Sequence, residues 1–260
     1  MDGDTEAVPG ALMAIREASL RRRHRGYGAL LSICLALVGC LMLPAGLRQL
    51  SALGYVVLPL VLIRTLGRHG RAGRWEVLRT RLYRLLALAT LASALVWYFT
   101  PLLQWVTGLP LLFLMGALVV WSCQRLMLQL AQEPLVNKQV LMGALAGYLL
   151  LGLAAGLLFS AMQTVDPRSF AGGGLSKVLL PQTPVWQIDF VALNYFAFVT
   201  ITTTGYGDIH PGTPQTQMLC ALVAIAGTTY QVVVMGLLIG RFTAQDVEQV
   251  IEEENKGHRH

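Results

Sequence analysis

The chain has 260 residues, of which 55% are hydrophobic and 13% are charged, and its mean hydropathy is +0.57. The charged share is roughly half that of a soluble domain, which excludes a soluble globular protein and predicts an integral membrane protein. The formal net charge is +6, so the placement of the positive residues decides whether it reflects a nucleic-acid partner or membrane topology.

Six apolar stretches have about the length needed to cross a membrane as helices. They cover residues 28–47, 53–66, 85–103, 109–128, 140–162 and 217–240. The second is the shortest, and because it contains Pro59 and Arg64 it is expected to be kinked or to begin before Ser51. We therefore predict an all-α membrane protein with six transmembrane helices, in which residues 1–26 are a basic N-terminal segment and residues 27–138 form a four-helix domain.

Positive charge is concentrated in the segments that would lie on one side of the membrane. Seventeen of the 20 Lys and Arg residues precede the first span, follow the sixth, lie in the second-to-third and fourth-to-fifth connections, or, as Arg64 and Arg125, lie in the last turn of the span before such a connection. Arg48, Arg168 and Lys177 lie on the opposite side. By the positive-inside rule both termini are cytoplasmic. Topology accounts for the net charge, and no nucleic-acid partner is predicted.

The connection between the second and third spans, residues 67–84, is strongly basic and also contains Trp75 and Tyr83. Arginines beside interfacial aromatic residues suit acidic headgroups, so anionic lipid is a predicted partner at this loop, in addition to the surrounding membrane lipids. The same charges serve membrane topology equally well, and both interpretations are kept.

The fifth span carries two small-xxx-small pairs, Gly143/Gly147 and Gly152/Gly156, on roughly opposite faces. Such pairs let helices approach closely, so one pair is expected to pack the last span and the other a neighbouring span. The next segment, residues 163–188, contains three consecutive glycines and three prolines and is predicted to be a flexible extracellular turret.

An apolar, aromatic-rich segment, residues 189–202, is long enough for a short helix that enters the membrane without crossing it. Asp189 stands where an N-cap is expected. The C-terminal end of such a helix carries partial negative charge, which favours a cation in front of it.

The motif Thr202-Thr203-Thr204-Gly205-Tyr206-Gly207-Asp208 follows this segment. Gly205 and Gly207 can adopt positive φ angles at low cost, which lets neighbouring carbonyl groups point in one direction. The motif resembles the selectivity filter of potassium channels, in which rings of backbone carbonyls replace the water around a dehydrated ion.

The resemblance assigns roles to the filter, residues 203–208. It implies a K⁺ site built from backbone carbonyls and the Thr203 hydroxyl, with ligands from Thr203, Thr204, Gly205 and Tyr206. Gly207 completes this filter, and Asp208 adds a carboxylate ring at the outer mouth. The resemblance implies no cofactor apart from K⁺ ions.

Four residues in and next to the filter can be compared with those that the same family has at these positions. Tyr195 and Phe196 stand where many members have a Trp-Trp pair that braces the filter, and with Val199 they form the expected pore-helix support. Val199 stands where some bacterial members have a buried Glu, and Thr204 replaces the usual Val. Because neither change removes a main-chain ligand, both are expected to act on filter rigidity.

The last span is expected to form an inner helix over residues 214–240. Aligned without gaps on simple bacterial potassium channels, Gly227 falls on their glycine hinge, and the alternative is a packing notch. Met235, Gly236 and Gly240 are inner-gate candidates, although the two glycines also suit close helix packing. Residues 241–260 are expected to form a short cytoplasmic tail that either extends the inner helix into a small four-chain bundle or frays.

The first four spans resemble a voltage-sensor module in number but not in charge. A sensing helix needs repeated positive residues, because each charge moved contributes about 2.3 kcal/mol per 100 mV. The fourth span carries only Arg125, near its cytoplasmic end, and this side chain is expected to snorkel to the interface. Gating by voltage is therefore not predicted.

Taken as a whole, the resemblance implies a potassium-selective channel subunit with a pore domain over residues 139–240, whose outer helix covers residues 140–162. One chain supplies one filter strand, so a homotetramer is expected, in a plasma membrane of the bacterial inner type. A weakly selective cation channel and a non-conducting regulatory subunit are the alternatives. The sequence has no nucleophile, metal-cluster or phosphate-loop motif, and an enzyme is not predicted.

Overall fold

The computed structural model describes residues 26–43, 49–67, 74–99, 104–133, 136–173, 175 and 190–257. Eight helices are found in these residues: α1 Gly26–Leu41, α2 Gln49–Leu66, α3 Arg74–Phe99, α4 Gln104–Ala131, α5 Lys138–Val165, α6 Phe190–Ile201, α7 Pro214–Thr229 and α8 Gly236–Gly257. A π-helical turn, Tyr230–Met235, joins α7 to α8, and the short strands β1 Phe170–Gly172 and β2 Ile209–Pro211 form an antiparallel pair. The predicted cap Asp189, the N-terminal arginine run and most of the turret lie outside the described residues.

Three helices in the described part of the chain are long and apolar enough to cross a membrane: Pro110–Ala131, Lys138–Val165 and Pro214–Gln245. Shorter apolar helices occupy Gly26–Leu41, Val57–Leu66 and Phe190–Ile201. The described part of the predicted third span, residues 85–99, lies within α3, which also takes in about three turns of the basic loop because arginine is a good helix former. These helices confirm an all-α membrane protein, and the count of six spans stays a prediction.

Helices α1 to α4 pack around an apolar core that contains Leu30, Leu58, Leu62, Met115 and Leu118. The buried face of α4 also carries polar residues toward its C-terminal end, namely Ser122, Arg125 and Gln129, and Glu133 follows just beyond it. A polar face inside an apolar bundle requires internal partners, because lipid offers none.

Arg125 finds such partners on α2 and α3. Its guanidinium donates to the carbonyl of Leu66 at 2.9 Å and to Thr80 Oγ1 at 3.2 Å, and it lies 4.4 Å from the ring centre of Tyr83. The side chain is 4% exposed, so the expectation that it snorkels to the interface is wrong. The physical reason is that Leu66 ends α2, where carbonyls lack intrahelical donors and a cation is favoured.

The glycine pairs of α5 hold different neighbours. A Cβ at Gly143 would meet Tyr27 of α1, and one at Gly147 would collide with Tyr230 of the inner helix. The second pair contacts α6, because a Cβ at Gly152 would collide with Phe198, and one at Gly156 with Asn194. The expected contact with the last span is thus made by Gly147, and the second pair seats the short re-entrant helix.

The connection between α4 and α5 is hydrogen-bonded to α8, which continues the inner helix. Arg241 donates to the carbonyl of Glu133 at 2.9 Å, and Gln245 accepts from the backbone N–H of Val136 at 3.0 Å. Helix α8 continues to Gly257, so the tail extends the inner helix, one of its two expected conformations.

Candidate functional site

The short helix α6 corresponds to the predicted pore helix, which was placed at residues 189–202. Three aromatic side chains fix it from the outer side: Phe196 lies 5.4 Å from Phe159 of α5 and 5.6 Å from Phe170 of β1, and Phe159 and Phe170 lie 5.1 Å apart. Tilted and edge-on rings at these centre-to-centre distances attract each other beyond simple burial. The pore helix is therefore held against α5 and β1.

The carbonyl groups at the end of α6 all have donors. The last four carbonyls of a helix have no intrahelical partner and must be satisfied from elsewhere. Three of them accept from the backbone of the following segment: Phe198 from Thr202 at 3.0 Å, Thr200 from Thr203 at 3.1 Å and Val199 from Thr204 at 3.0 Å. The fourth, that of Ile201, accepts from the Tyr148 hydroxyl of α5 at 3.1 Å.

The backbone of the filter alternates between two conformations. Thr203, Gly205 and Gly207 have φ angles of 58°, 58° and 79°, whereas Thr204 and Tyr206 lie between them with negative φ. Alternating left- and right-handed residues turn successive peptide planes so that their carbonyls lie on one side of the strand. The positive φ angles at Gly205 and Gly207 match the sequence prediction. That of Thr203 was not predicted.

Hydroxyl groups brace the inner end of this strand. The hydroxyls of Thr202 and Thr204 lie 2.9 Å apart, and the Thr202 hydroxyl donates to the carbonyl of Phe198 at 2.7 Å. Thr204 therefore has a hydrogen-bonding partner that the usual Val would lack. This pair joins the filter to the last turn of the pore helix.

The outer end is braced by Tyr195. Its hydroxyl donates to Oδ2 of Asp208 at 2.9 Å, and its ring stacks on that of Tyr206, with the ring centres 6.5 Å apart and the planes 5° from parallel. Desolvation and the hydrogen bond to Asp208 raise the pKa of Tyr195, so the phenol keeps its proton. Of the aromatic pair expected to brace the filter, Tyr195 contacts it within the chain, and Phe196 faces α5 and β1 instead.

The β1–β2 pair supports the segment that leaves the filter. Ala171 pairs with His210, and the carbonyl of Ser169 accepts from the Gly212 N–H and the Thr216 hydroxyl, both at 2.8 Å. Gly172 has a φ of 96°, and a Cβ there would collide with the carbonyl oxygen of Asp208. The first part of the expected flexible turret is thus an ordered pair of strands. The sequence did not predict this pair, because strands of three residues leave no periodic pattern.

The inner helix touches the pore helix at Gly227. A Cβ at this position would lie 2.7 Å from the carbonyl oxygen of Ile201, so Gly227 serves as a close packing contact. The helix is regular here and becomes π-helical three residues later. Met235 is partly buried, whereas Gly236 and Gly240 have open space around them. A hinge at Gly227 and a gate at these three positions stay predictions.

The filter is exposed on the surface of a single chain. Residues 202–208 are all exposed, and Tyr206 is 70% exposed. Val199, by contrast, is buried behind the filter. One chain offers one wall of carbonyl oxygens, which is less than the closed ring that a dehydrated ion requires. Among the described residues, no cluster of three or more His, Cys, Asp or Glu side chains could hold a metal ion.

Comparison with known proteins bears on the same part of the chain. Residues 148–244 match a family model described as ion channel, and this match runs from α5 through the pore helix and filter into α8. No curated protein and no solved structure matches the chain. The family match supports an ion channel, a transport protein and not an enzyme.

Proposed function

We propose that the chain is the subunit of a potassium-selective channel that conducts K⁺ passively across the membrane. The observation that carries this proposal is the alternating backbone at Thr203, Gly205 and Gly207, within the segment that matches the ion-channel family. Such a backbone can present the carbonyls of Thr203, Thr204, Gly205 and Tyr206 in a single file. Potassium is the ion proposed for these carbonyls.

Four copies of the chain would close the filter into a ring. The exposure of residues 202–208, together with the large exposed apolar side chains Met218, Leu222 and Ile225 on α7, supports an assembly in which these surfaces are covered. We expect a homotetramer with fourfold symmetry about the filter. Asp208 would then form a ring of carboxylates at the outer mouth.

The channel is proposed to lie in the plasma membrane, specifically a bacterial inner membrane. Each chain would cross it six times, with both termini in the cytoplasm. Its four-helix domain would not sense voltage, because Arg125 of α4 caps the end of α2. Anionic lipid is a proposed partner at residues 67–84. The exposed Trp75, Arg79, Arg81 and Arg84 at the start of α3 support that contact.

Reversal potentials test the proposed ion. Current through purified protein in planar bilayers, with K⁺ on one side and an equal concentration of Na⁺ on the other, should reverse far from 0 mV, with the K⁺ side negative. Equal permeability would favour the weakly selective cation channel, and absence of current from a correctly assembled protein would favour the regulatory subunit. The mass of the detergent-solubilised particle tests the tetramer, and a conducting monomer or dimer would contradict it.

A further inference from the structure

A relay of hydrogen bonds connects the inner helix to the end of the pore helix. The Tyr148 hydroxyl donates to the carbonyl of Ile201 at 3.1 Å, and it accepts from Nε2 of Gln231 at 2.8 Å. A phenol has one proton and two lone pairs, so it can make both bonds at once. Ile201 is the last residue of α6 and lies two residues before Thr203, the first filter residue.

The inner helix also contacts Ile201 directly. Gly227 lies one turn before Gln231, and a Cβ there would stand 2.7 Å from the Ile201 carbonyl oxygen and 2.9 Å from its Cβ. The absence of a side chain lets α7 approach the pore helix this closely. The same approach brings Gln231 within reach of Tyr148.

The π-helical turn places two consecutive residues against α5. Tyr230 donates to the carbonyl of Ala144 at 2.7 Å, and Gln231 reaches Tyr148, one turn further along α5. Consecutive side chains of an α-helix point about 100° apart. A π-helical turn holds more residues, so its consecutive side chains point in more similar directions. A return of this turn to α-helical geometry would rotate Gln231 relative to Tyr148 and break the relay.

From these contacts we infer that Tyr148 and Gln231 are positioning residues of the filter. They fix the carbonyl of Ile201, the one carbonyl at the end of the pore helix that the filter backbone does not satisfy, and they make its position depend on the inner helix. The inference rests on the proposed channel function and adds to it a coupling between the inner helix and ion selection.

Reversal potentials of the full-length channel test this role, because they do not depend on how many channels assemble. Tyr148→Phe removes one hydroxyl and keeps the ring. We expect it to lower the potassium-over-sodium permeability ratio about 2- to 10-fold, the effect of one hydrogen bond. Gln231→Leu should lower the ratio in the same direction, and the double variant should fall no further than Tyr148→Phe, since Gln231 acts through Tyr148.

Tyr230→Phe is the matched control. It removes a buried hydroxyl from the same helix interface, but its acceptor is Ala144 of α5 and not the pore helix. Its permeability ratio should stay within about twofold of the wild type, below the range expected for the relay. An unchanged ratio in Tyr148→Phe, or an equal fall in Tyr230→Phe, would overturn the inference.

If Tyr148→Phe does not assemble into channels, the permeability ratio of Gln231→Leu tests the inference instead, and an unchanged ratio would overturn it. A wild-type protein without potassium selectivity would contradict the proposed function itself. A selective wild type with unaffected relay variants would contradict the coupling alone.

Discussion

Three residues of the filter have positive φ angles, and one of them is not a glycine. Thr203 has a φ of 58°, a conformation that costs a residue with a Cβ about 1–2 kcal/mol. Its N–H donates to the carbonyl of Thr200 and the N–H of Thr204 to that of Val199, so the end of the pore helix holds the backbone there. Within one chain Gly205 and Gly207 have open space around the Cβ position, so the backbone angle is what favours glycine there.

Replacing either filter glycine by alanine should therefore damage ion selection through the backbone. Gly205→Ala and Gly207→Ala each place a Cβ on a left-handed residue at a cost of about 1–2 kcal/mol, which corresponds to a loss of discrimination of about 5- to 30-fold. The measurement is the potassium-over-sodium permeability ratio from reversal potentials. Gly28→Ala is the control, since Gly28 lies in α1 with open space around it and no positive φ. A wild-type ratio in both filter variants would contradict the backbone argument.

Tyr195→Phe should weaken the outer mouth without removing the ring that stacks on Tyr206. The change deletes the donor to Asp208, so we expect conducting bursts in single-channel records to shorten by a few-fold. The raised pKa of Tyr195 gives the sign of the pH dependence. The contact is fully present below the ordinary value of 10.0 and is lost as pH rises through the raised value. The wild type should thus lose long bursts only in strong alkali, and a transition near neutral pH would contradict this assignment.

At the scale of elements, the sequence allowed the helices around the filter to be predicted, but not what braces them. Apolar length and cap residues are local signals, so the pore helix was placed within one residue of Phe190–Ile201 at each end. The β1–β2 pair joins residues about 40 positions apart through three-residue strands, which leave no periodic pattern. Arg125 looked like an interfacial residue because its partners, Leu66 and Tyr83, come from other helices.

The β1–β2 pair gives a prediction of its own. Gly172→Ala should destabilise the protein by at least about 1 kcal/mol, because an alanine at a φ of 96° is strained and its Cβ would press on the carbonyl of Asp208. Thermal unfolding in detergent measures the loss. K⁺ should protect this variant less than the wild type, since the outer end of the filter moves. Gly39→Ala in α1, where nothing lies near the added Cβ, should not lower the stability and should leave the protection by K⁺ unchanged.

At the scale of the whole molecule, two regions of different character meet at α5 and the inner helix. Hydrogen bonds join the pore helix to residues 202–208, and the β1–β2 pair supports the segment that follows them. The four-helix domain packs against α5, where Tyr27 of α1 lies against Gly143, and the α4–α5 connection is bonded to Arg241 and Gln245 of α8. A movement of the four-helix domain would therefore reach the pore helix through both α5 and α8, although nothing in α4 supplies a row of charges for the membrane field to move.

Arg125→Gln separates a structural from a voltage-sensing role of the single charge on α4. Arg125 bonds the carbonyl that ends α2, and its loss should leave this buried acceptor unpaired at a cost of about 1–3 kcal/mol, seen as a lower melting temperature in detergent. The exposed Arg79, which pairs with Glu76 at 3.6 Å, is the matched control, and Arg79→Gln should change stability by less than about 0.5 kcal/mol.

Voltage dependence should stay flat in the same two variants and in the wild type. A charge crossing the whole field would contribute about 2.3 kcal/mol per 100 mV, whereas a guanidinium fixed between Leu66, Thr80 and Tyr83 crosses almost none of it. Open probability between about −100 and +100 mV should therefore vary little, over a range in which one charge crossing the whole field would shift the open–closed equilibrium by about three orders of magnitude. A steep conductance–voltage curve that Arg125→Gln flattened and Arg79→Gln preserved would show that Arg125 leaves the α2 terminus during gating, and α4 would then be a minimal voltage sensor.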